Sequence, residues 1–286
     1  QTLEDITSGD YNTAVGRGAG INITSGSYHT ALGYAALATC TTASANTAVG
    51  YASLTSSTTG QWCTAIGKGA LNEMTEGNYN IALGENAGGK ISTGTHNVMI
   101  GFDSGASTTN TLTGAQNVLV GNLSHTSATD SANQIVMGYN VAGNADDSFV
   151  IGNASTDSAI AFGATSISAP SDVRLKEDIQ NAEAGLDFIN ALRPVTYKWK
   201  KEKDIPEELN AHKADSDKRT MNDKINHGFI AQEVKEAIDS HPEIKDGFEM
   251  WSEDESDGRQ RIGEGALVTI LTKAVQELSA KVEALE

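Results

Sequence analysis

A five-residue motif ending in glycine recurs along the chain. Its copies are Asn12-Thr-Ala-Val-Gly16, His29-Thr-Ala-Leu-Gly33, Asn46-Thr-Ala-Val-Gly50, Cys63-Thr-Ala-Ile-Gly67 and Asn80-Ile-Ala-Leu-Gly84. Asn97-Val-Met-Ile-Gly101, Asn117-Val-Leu-Val-Gly121, Gln134-Ile-Val-Met-Gly138, Ser148-Phe-Val-Ile-Gly152 and a shorter Ala159-Ile-Ala-Phe-Gly163 continue the series. The terminal glycines stand at intervals of 17, 17, 17, 17, 17, 20, 17, 14 and 11. So short and regular a period means stacked coils of a solenoid and is too short for a helix–turn–helix unit. Several copies carry a second short run, such as Gly33-Tyr-Ala-Ala-Leu37. The pattern predicts a parallel β-roll or β-helix with two or three short strands per coil. The repeated glycine is expected at a corner, where φ is positive or another backbone comes close.

The inward residues are small, and only 6% of the chain is aromatic. One such coil encloses a thin core, which gains from burying a face against copies of itself. Asn12, Asn46, Asn80, Asn97 and Asn117 hold the same place in successive copies. They could form a glycan- or ion-binding ladder, but stacked side-chain amides that satisfy turn backbone are the expected role. Asp146-Asp147 is likewise expected to be an acidic surface turn rather than a cation site. The repeats resemble the head repeats of trimeric bacterial adhesins. That resemblance implies a trimeric β-roll, left-handed in those heads although their period is shorter.

Composition changes sharply at Pro170. Residues 1–170 hold 11 Asp+Glu and 3 Lys+Arg, and residues 171–286 hold 26 and 17. Two domains are therefore expected, a repeat solenoid over 1–170 and an α+β domain over 171–286. Pro170 is expected to hold the chain extended at the junction. The net charge is −17, with no basic surplus in either part, which argues against nucleic acid as a partner. Cys40 and Cys63 are read as unpaired small side chains, and neither they nor the histidines have metal-ligand spacing. No metal or cofactor is expected. No stretch is long and apolar enough to span a membrane, so no membrane insertion is expected. The chain does not begin with Met and is read as a fragment without a signal peptide.

In the second part, Leu186, Ile189 and Leu192 recur at helical spacing within 182–192, and Pro194 closes that helix. Val195-Thr-Tyr-Lys-Trp199 alternates as a strand. The charged stretch 200–226 reads as an exposed excursion. His227-Gly-Phe-Ile-Ala-Gln-Glu-Val-Lys-Glu-Ala-Ile238 reads as a strand running into a helix, with His227 structural, and 248–251 as a further strand. At the end, Val268, Val275 and Val282 occupy heptad position a, and Leu271, Leu278 and Leu285 position d. That is a coiled-coil helix built to meet copies of itself.

Four blocks occur in order: Ser171-Asp172-x-Arg174-Leu175-Lys176-x-x-Ile179, Leu192-Arg-Pro-Val-Thr-Tyr-Lys-Trp199, Gly228-Phe-Ile-Ala-Gln-Glu-Val234, and the terminal helix. Over 171–286 they resemble the self-cleaving, endosialidase-type chaperone domain at the C-terminus of bacteriophage tail fibres, tailspikes and neck appendages. The resemblance implies a homotrimeric fibre whose chaperone drives assembly and is then released by cleavage between Ser171 and Asp172. It also implies a catalytic Ser–Lys dyad, which maps onto Ser171 and Lys176. Lysine can serve as base to a serine nucleophile. Which carbonyl is attacked, and by which copy, the residues leave open. By themselves Ser171 and Lys176 would read as a helix cap and a surface lysine.

The function expected is a fibre or appendage tip of a virion, carrying an autocatalytic serine-type chaperone that is released in the host cytoplasm. Its array would contribute to attachment to a host receptor or glycan. A binding-only trimeric adhesin head explains the repeats but not 171–286. A fibre-borne glycan hydrolase would need paired carboxylates, and the array shows no such motif.

Overall fold

A computed structural model describes residues 1–285 except 107–112, 155, 165–166, 169–170 and 246–247. Pro170 thus lies outside the described residues. The chain divides into two compact units, Gln1–Lys176 and Glu177–Glu286.

The first unit is a parallel β-solenoid. Strands β1 (Thr13–Val15), β2 (Thr30–Leu32), β3 (Thr47–Val49), β4 (Thr64–Ile66), β5 (Ile81–Leu83), β6 (Val98–Ile100), β7 (Val118–Val120), β8 (Gln134–Tyr139) and β9 (Ser148–Asn153) pair in sequence order, all parallel. Register follows the motif residue for residue: Ala31 lies opposite Ala48, Ala48 opposite Ala65 and Ala65 opposite Ala82. From β2 to β9 one central residue per strand, Ala31, Ala48, Ala65, Ala82, Met99, Leu119, Val136 or Val150, points inward and is buried, and Ala14 of β1 partly so, because side chains alternate across a strand. Its neighbours point out, leaving Val15, Leu32, Ile66, Ile100, Met137 and Ile151 exposed in a column.

The array departs from its expected pattern in two places. Among the described residues each coil of the array contains one strand, not two or three. The second runs cannot be extended, since Ala35 (φ 55°) and Leu37 (φ 53°) are left-handed, as are Ala52 and Leu54 one coil on. They are turns stacked coil on coil, as in the bond from Ala35 N–H to the Arg17 carbonyl. The copy at Ala159–Gly163 is not a further coil. β10 (Thr156–Ala161) folds back antiparallel on β9, because the chain between Gly152 and Gly163 is too short for another circuit. The N-terminal residues, by contrast, already belong to the array: Leu3 N–H bonds the Ala19 carbonyl and Asp5 N–H that of Ile21.

The glycine expectation holds on both counts. Gly50 has φ +132°, and a Cβ there would stand 2.5 Å from the carbonyl oxygen of Gly67 in the next coil. The strand ends of neighbouring coils touch backbone to backbone, which only glycine permits.

Asparagine joins the coils from inside. Asn46 Nδ2 donates to the Gly60 carbonyl at 2.7 Å, and Asn46 Oδ1 accepts from Cys63 N–H at 2.9 Å. Asn80 repeats this with Gly94 and Asn97, and Asn117 with Ser131 and Gln134. Where the motif starts with another residue, that side chain stands in. His29 Nε2–H donates to Ala43 O at 2.8 Å and Nδ1 accepts from Asn46 N–H at 3.3 Å. The Cys63 thiol lies 3.4 Å from the Gly77 carbonyl. Cys40 and Cys63 are free and buried, and burial pushes both thiols up to about 11.

The second unit has its own core. α1 (Leu186–Ala191) packs against α3 (Leu267–Glu283), and α2 (Ala231–Asp239) closes over both hairpin strands β13 (Trp251–Glu253) and β14 (Gln260–Ile262). β11 (Val195–Tyr197) pairs antiparallel with β12 (Asn226–Gly228). Phe188, Val234, Met250 and Ile270 are buried together. The helix expected from 182 begins only at Leu186, whose N–H is capped by Glu277 Oε2 of α3 at 2.9 Å. The strand expected at 248–251 is shifted to Trp251–Glu253, and its partner β14 had no signal in the sequence. The charged stretch 200–226 is held by ion pairs, among them Lys201 and Lys203 on Asp217, which keep that carboxyl at about 2.

Two outcomes follow from the inner ladder. Asn80→Ala leaves buried backbone groups in two coils unpaired and is expected to cost about 3 kcal/mol, read from urea denaturation. Burial lowers the His29 imidazole below its ordinary value. The unfolded chain therefore takes up the proton first, so this residue's contribution is complete above about pH 6.5 and is lost as pH falls below it. Melting of the wild type is expected to worsen more steeply between pH 7 and 5 than that of His29→Asn, which keeps both bonds without the titration.

Candidate functional site

The stretch from Ser171 to Lys176 is a small cap-and-turn. Asp172 is extended (φ −68°, ψ 135°) and caps a single 3-10 turn over Val173–Leu175. Asp172 Oδ1 accepts from Arg174 N–H at 2.9 Å, the usual use of an aspartate before a helical turn. The turn closes with Leu175 N–H on the Asp172 carbonyl and Lys176 N–H on that of Val173. One turn of chain carries Lys176 back over its start. Lys176 Nζ donates to Ser171 Oγ at 2.7 Å.

Asp172 is further held by the Arg174 guanidinium, with Nε at 3.0 Å from each carboxylate oxygen and Nη2 at 2.5 Å from Oδ2. This pairing, first through the side-chain bond, lowers the Asp172 carboxyl and raises Arg174. The scissile position expected from the sequence is thus flanked by an ionised, immobilised carboxylate. Arg174 in this role was not singled out by sequence reasoning, although an Asp-x-Arg spacing across a turn is a readable signal. The surroundings are open: Val173, Leu175 and Ile179 are 67%, 72% and 65% exposed, apolar groups left largely uncovered by the described residues.

The other candidates are placed as follows. Asn46, Asn80, Asn97 and Asn117 are fully buried and bonded between coils, so they form the structural ladder and offer nothing to a ligand. Asp146 Oδ1 accepts from Ala132 N–H, and Asp147 Oδ1 from Asn133 Nδ2, tying the last coils together. His227 sits exposed in β12 opposite Thr196. Among the described residues no group of three or more His, Cys, Asp or Glu could hold a metal ion. No described helix is long and apolar enough to cross a membrane.

Residues 171–241 match the family model described as chaperone of endosialidase, and the match opens on Ser171. The chain fits a phage tail-fibre-like protein with a C-terminal chaperone domain. The match takes in α1, β11, β12 and α2 and stops before the β13–β14 hairpin and α3, although the motifs suggested the resemblance to residue 286. No curated protein and no solved structure matches the chain.

In Arg174→Ala the Asp172 carboxyl loses its partner. Its titration midpoint, followed by carbon NMR of the side-chain carboxyl, is expected to rise toward that of an ordinary aspartate.

Proposed function

We propose that this chain is the tip of a homotrimeric phage fibre or appendage. In this reading residues 171–286 form an intramolecular chaperone that assembles the solenoid and then cuts itself off between Ser171 and Asp172. The observation that carries the reading is the 2.7 Å contact between Lys176 Nζ and Ser171 Oγ, at the residue where the family match begins.

A lysine serves as base only in its neutral form, which removal from water favours. In the step proposed, Ser171 Oγ gives its proton to that amine and bonds to the carbonyl carbon of residue 171. The bond to Asp172 nitrogen breaks, that nitrogen takes the proton, and water then hydrolyses the ester. A serine attacking its own carbonyl would close a four-membered ring, so the attacking hydroxyl comes from another copy. Association would also cover the exposed Val173, Leu175 and Ile179 and so dry the dyad.

The terminal helix supports self-association. Leu267, Ile270 and Ala274 of α3 face its own core, whereas Val268, Leu271, Val275, Leu278 and Val282 lie exposed on a heptad stripe. Such a stripe is covered by like helices. A repeat array can pair one coil out of step, and joining three copies first at a chaperone sets their register. Cleavage afterwards removes the route back and leaves the fibre kinetically trapped. The array, retained on the virion, contributes to host-surface attachment, and the chaperone is released in the host cytoplasm.

Mass spectrometry of purified wild type beside Ser171→Ala and Lys176→Ala tests this. The wild type is expected to split at 171/172 and both variants to stay whole. A wild type that stays whole through folding and long incubation leaves 171–286 as an uncut trimerisation domain at most.

A further inference from the structure

One edge of the solenoid carries an aromatic ladder. Tyr11, Tyr28, Ala45, Trp62, Tyr79 and His96 hold the same left-handed position in successive coils, with φ between 54° and 64°. In that backbone setting the side chains project outward, and Tyr28 and Trp62 are 62% and 50% exposed. Neighbouring rings stack: Tyr11 on Tyr28 at 5.1 Å, Trp62 on Tyr79 at 4.9 Å and Tyr79 on His96 at 4.8 Å. Their planes are within 13°, 4° and 24° of parallel, so the ring faces look along the stack.

Most of these faces are occupied by the next ring. One rung is missing. At Ala45 there is only a methyl group, so the far face of Tyr28 and the near face of Trp62 look at each other across a slot. The two rings are two coils apart, which sets them about 10 Å apart at the usual strand spacing. We propose that this slot binds one pyranose unit of a gluco-configured glycan, sandwiched between Tyr28 and Trp62. The proposal rests on the attachment reading and gives it a contact.

Thickness selects the ligand. A planar base or aromatic ring sandwiched at van der Waals contact needs a gap of only about 7 Å. A puckered sugar ring centred in the slot lies about 5 Å from each aromatic centroid, within the range of such stacks. Aromatic faces carry negative potential and attract the weakly positive C–H groups of a sugar. A sandwich needs C–H bonds on both faces of the ring, which a β-gluco pyranose has because its hydroxyls are all equatorial. An axial hydroxyl, as in the galacto series, puts a polar group against one aromatic face. The ladder from Tyr11 to His96 contains no carboxylate, lysine or arginine, so it favours a neutral ligand. Ser44, Thr47 and Gln61, half-buried and next to Ala45 or Trp62 in the chain, offer hydroxyl and amide groups for the sugar's equatorial hydroxyls.

The test fills the missing rung. Ala45→Tyr puts a ring where the sugar would sit, at a backbone position that Tyr11, Tyr28 and Tyr79 already adopt in other coils. Its melting temperature is expected to match or exceed that of the wild type. Methyl β-D-glucopyranoside, titrated into the whole protein, is expected to change tryptophan emission saturably and to give saturation-transfer NMR signals from both ring faces. The response should be lost in Ala45→Tyr, strongly reduced in Tyr28→Leu, and about tenfold weaker with the matching galactoside. No saturable response in the wild type, an undiminished one in Ala45→Tyr, or equal binding of the two sugars overturns the proposal. Adsorption to bacterial cells is measured alongside. Equal adsorption by wild type and Ala45→Tyr overturns the slot as the contact and leaves attachment standing, whereas a saccharide response without adsorption sinks the attachment reading and leaves the slot.

Discussion

The inward asparagine that starts coil after coil, with His29 or Cys63 standing in for it, holds the array together. Its amide donates to a carbonyl 14 residues ahead, or 17 for Asn97, and its oxygen accepts from the N–H of the equivalent residue in the next coil. Those backbone groups lie inside a coil too thin to admit water, where an unpaired donor or acceptor costs about 1–3 kcal/mol. The same two bonds also set the offset between coils. That is why His29, with one donor and one acceptor nitrogen, can replace asparagine, and why Cys63 does so only with longer contacts. The corner glycines depend on this stacking: coils brought to such a spacing leave no room for a Cβ between their carbonyls.

A fold built this way has almost no depth. One middle residue per strand and a few turn residues make up the core of the first unit, and the outward residues of the same strands remain apolar and exposed. The second unit shows the same imbalance on α3, whose inner face is used by Phe188 and its neighbours while its heptad face is bare. Two unpartnered apolar faces in one chain make sense in an oligomer. Apolar area on this scale is stabilising only once water is removed from it.

The proposed dyad of Ser171 and Lys176 fits that picture. Serine and lysine are brought together by a single turn capped by Asp172, with no scaffold from elsewhere in the fold. A contact so exposed is positioned by local chain geometry. Under the function proposed above, self-cleavage would wait for assembly, and such a site would suit it: composed in the single chain and desolvated only among copies.

Much of this was legible in the residues. The period of the glycines determined a parallel solenoid and the recurring asparagine determined the ladder, because each depends on chain-local geometry repeated at fixed spacing; which residue of Thr-Ala-Val points inward was decided by the fold. The order of motifs from Ser171 to Val234 likewise marked the chaperone domain. Tertiary structure decided the rest. Left-handed backbone at Ala35 and Leu37 turned expected strands into stacked turns, since non-glycine residues accept such strain only when neighbouring coils supply the bonds that hold it. The last copy became a hairpin rather than a coil because so short a stretch of chain could not go round. The start of α1 was set by Glu277, 91 residues away. The rings of Tyr28 and Trp62 come from coils that are not neighbours in sequence, and only the stacking of coils sets them face to face.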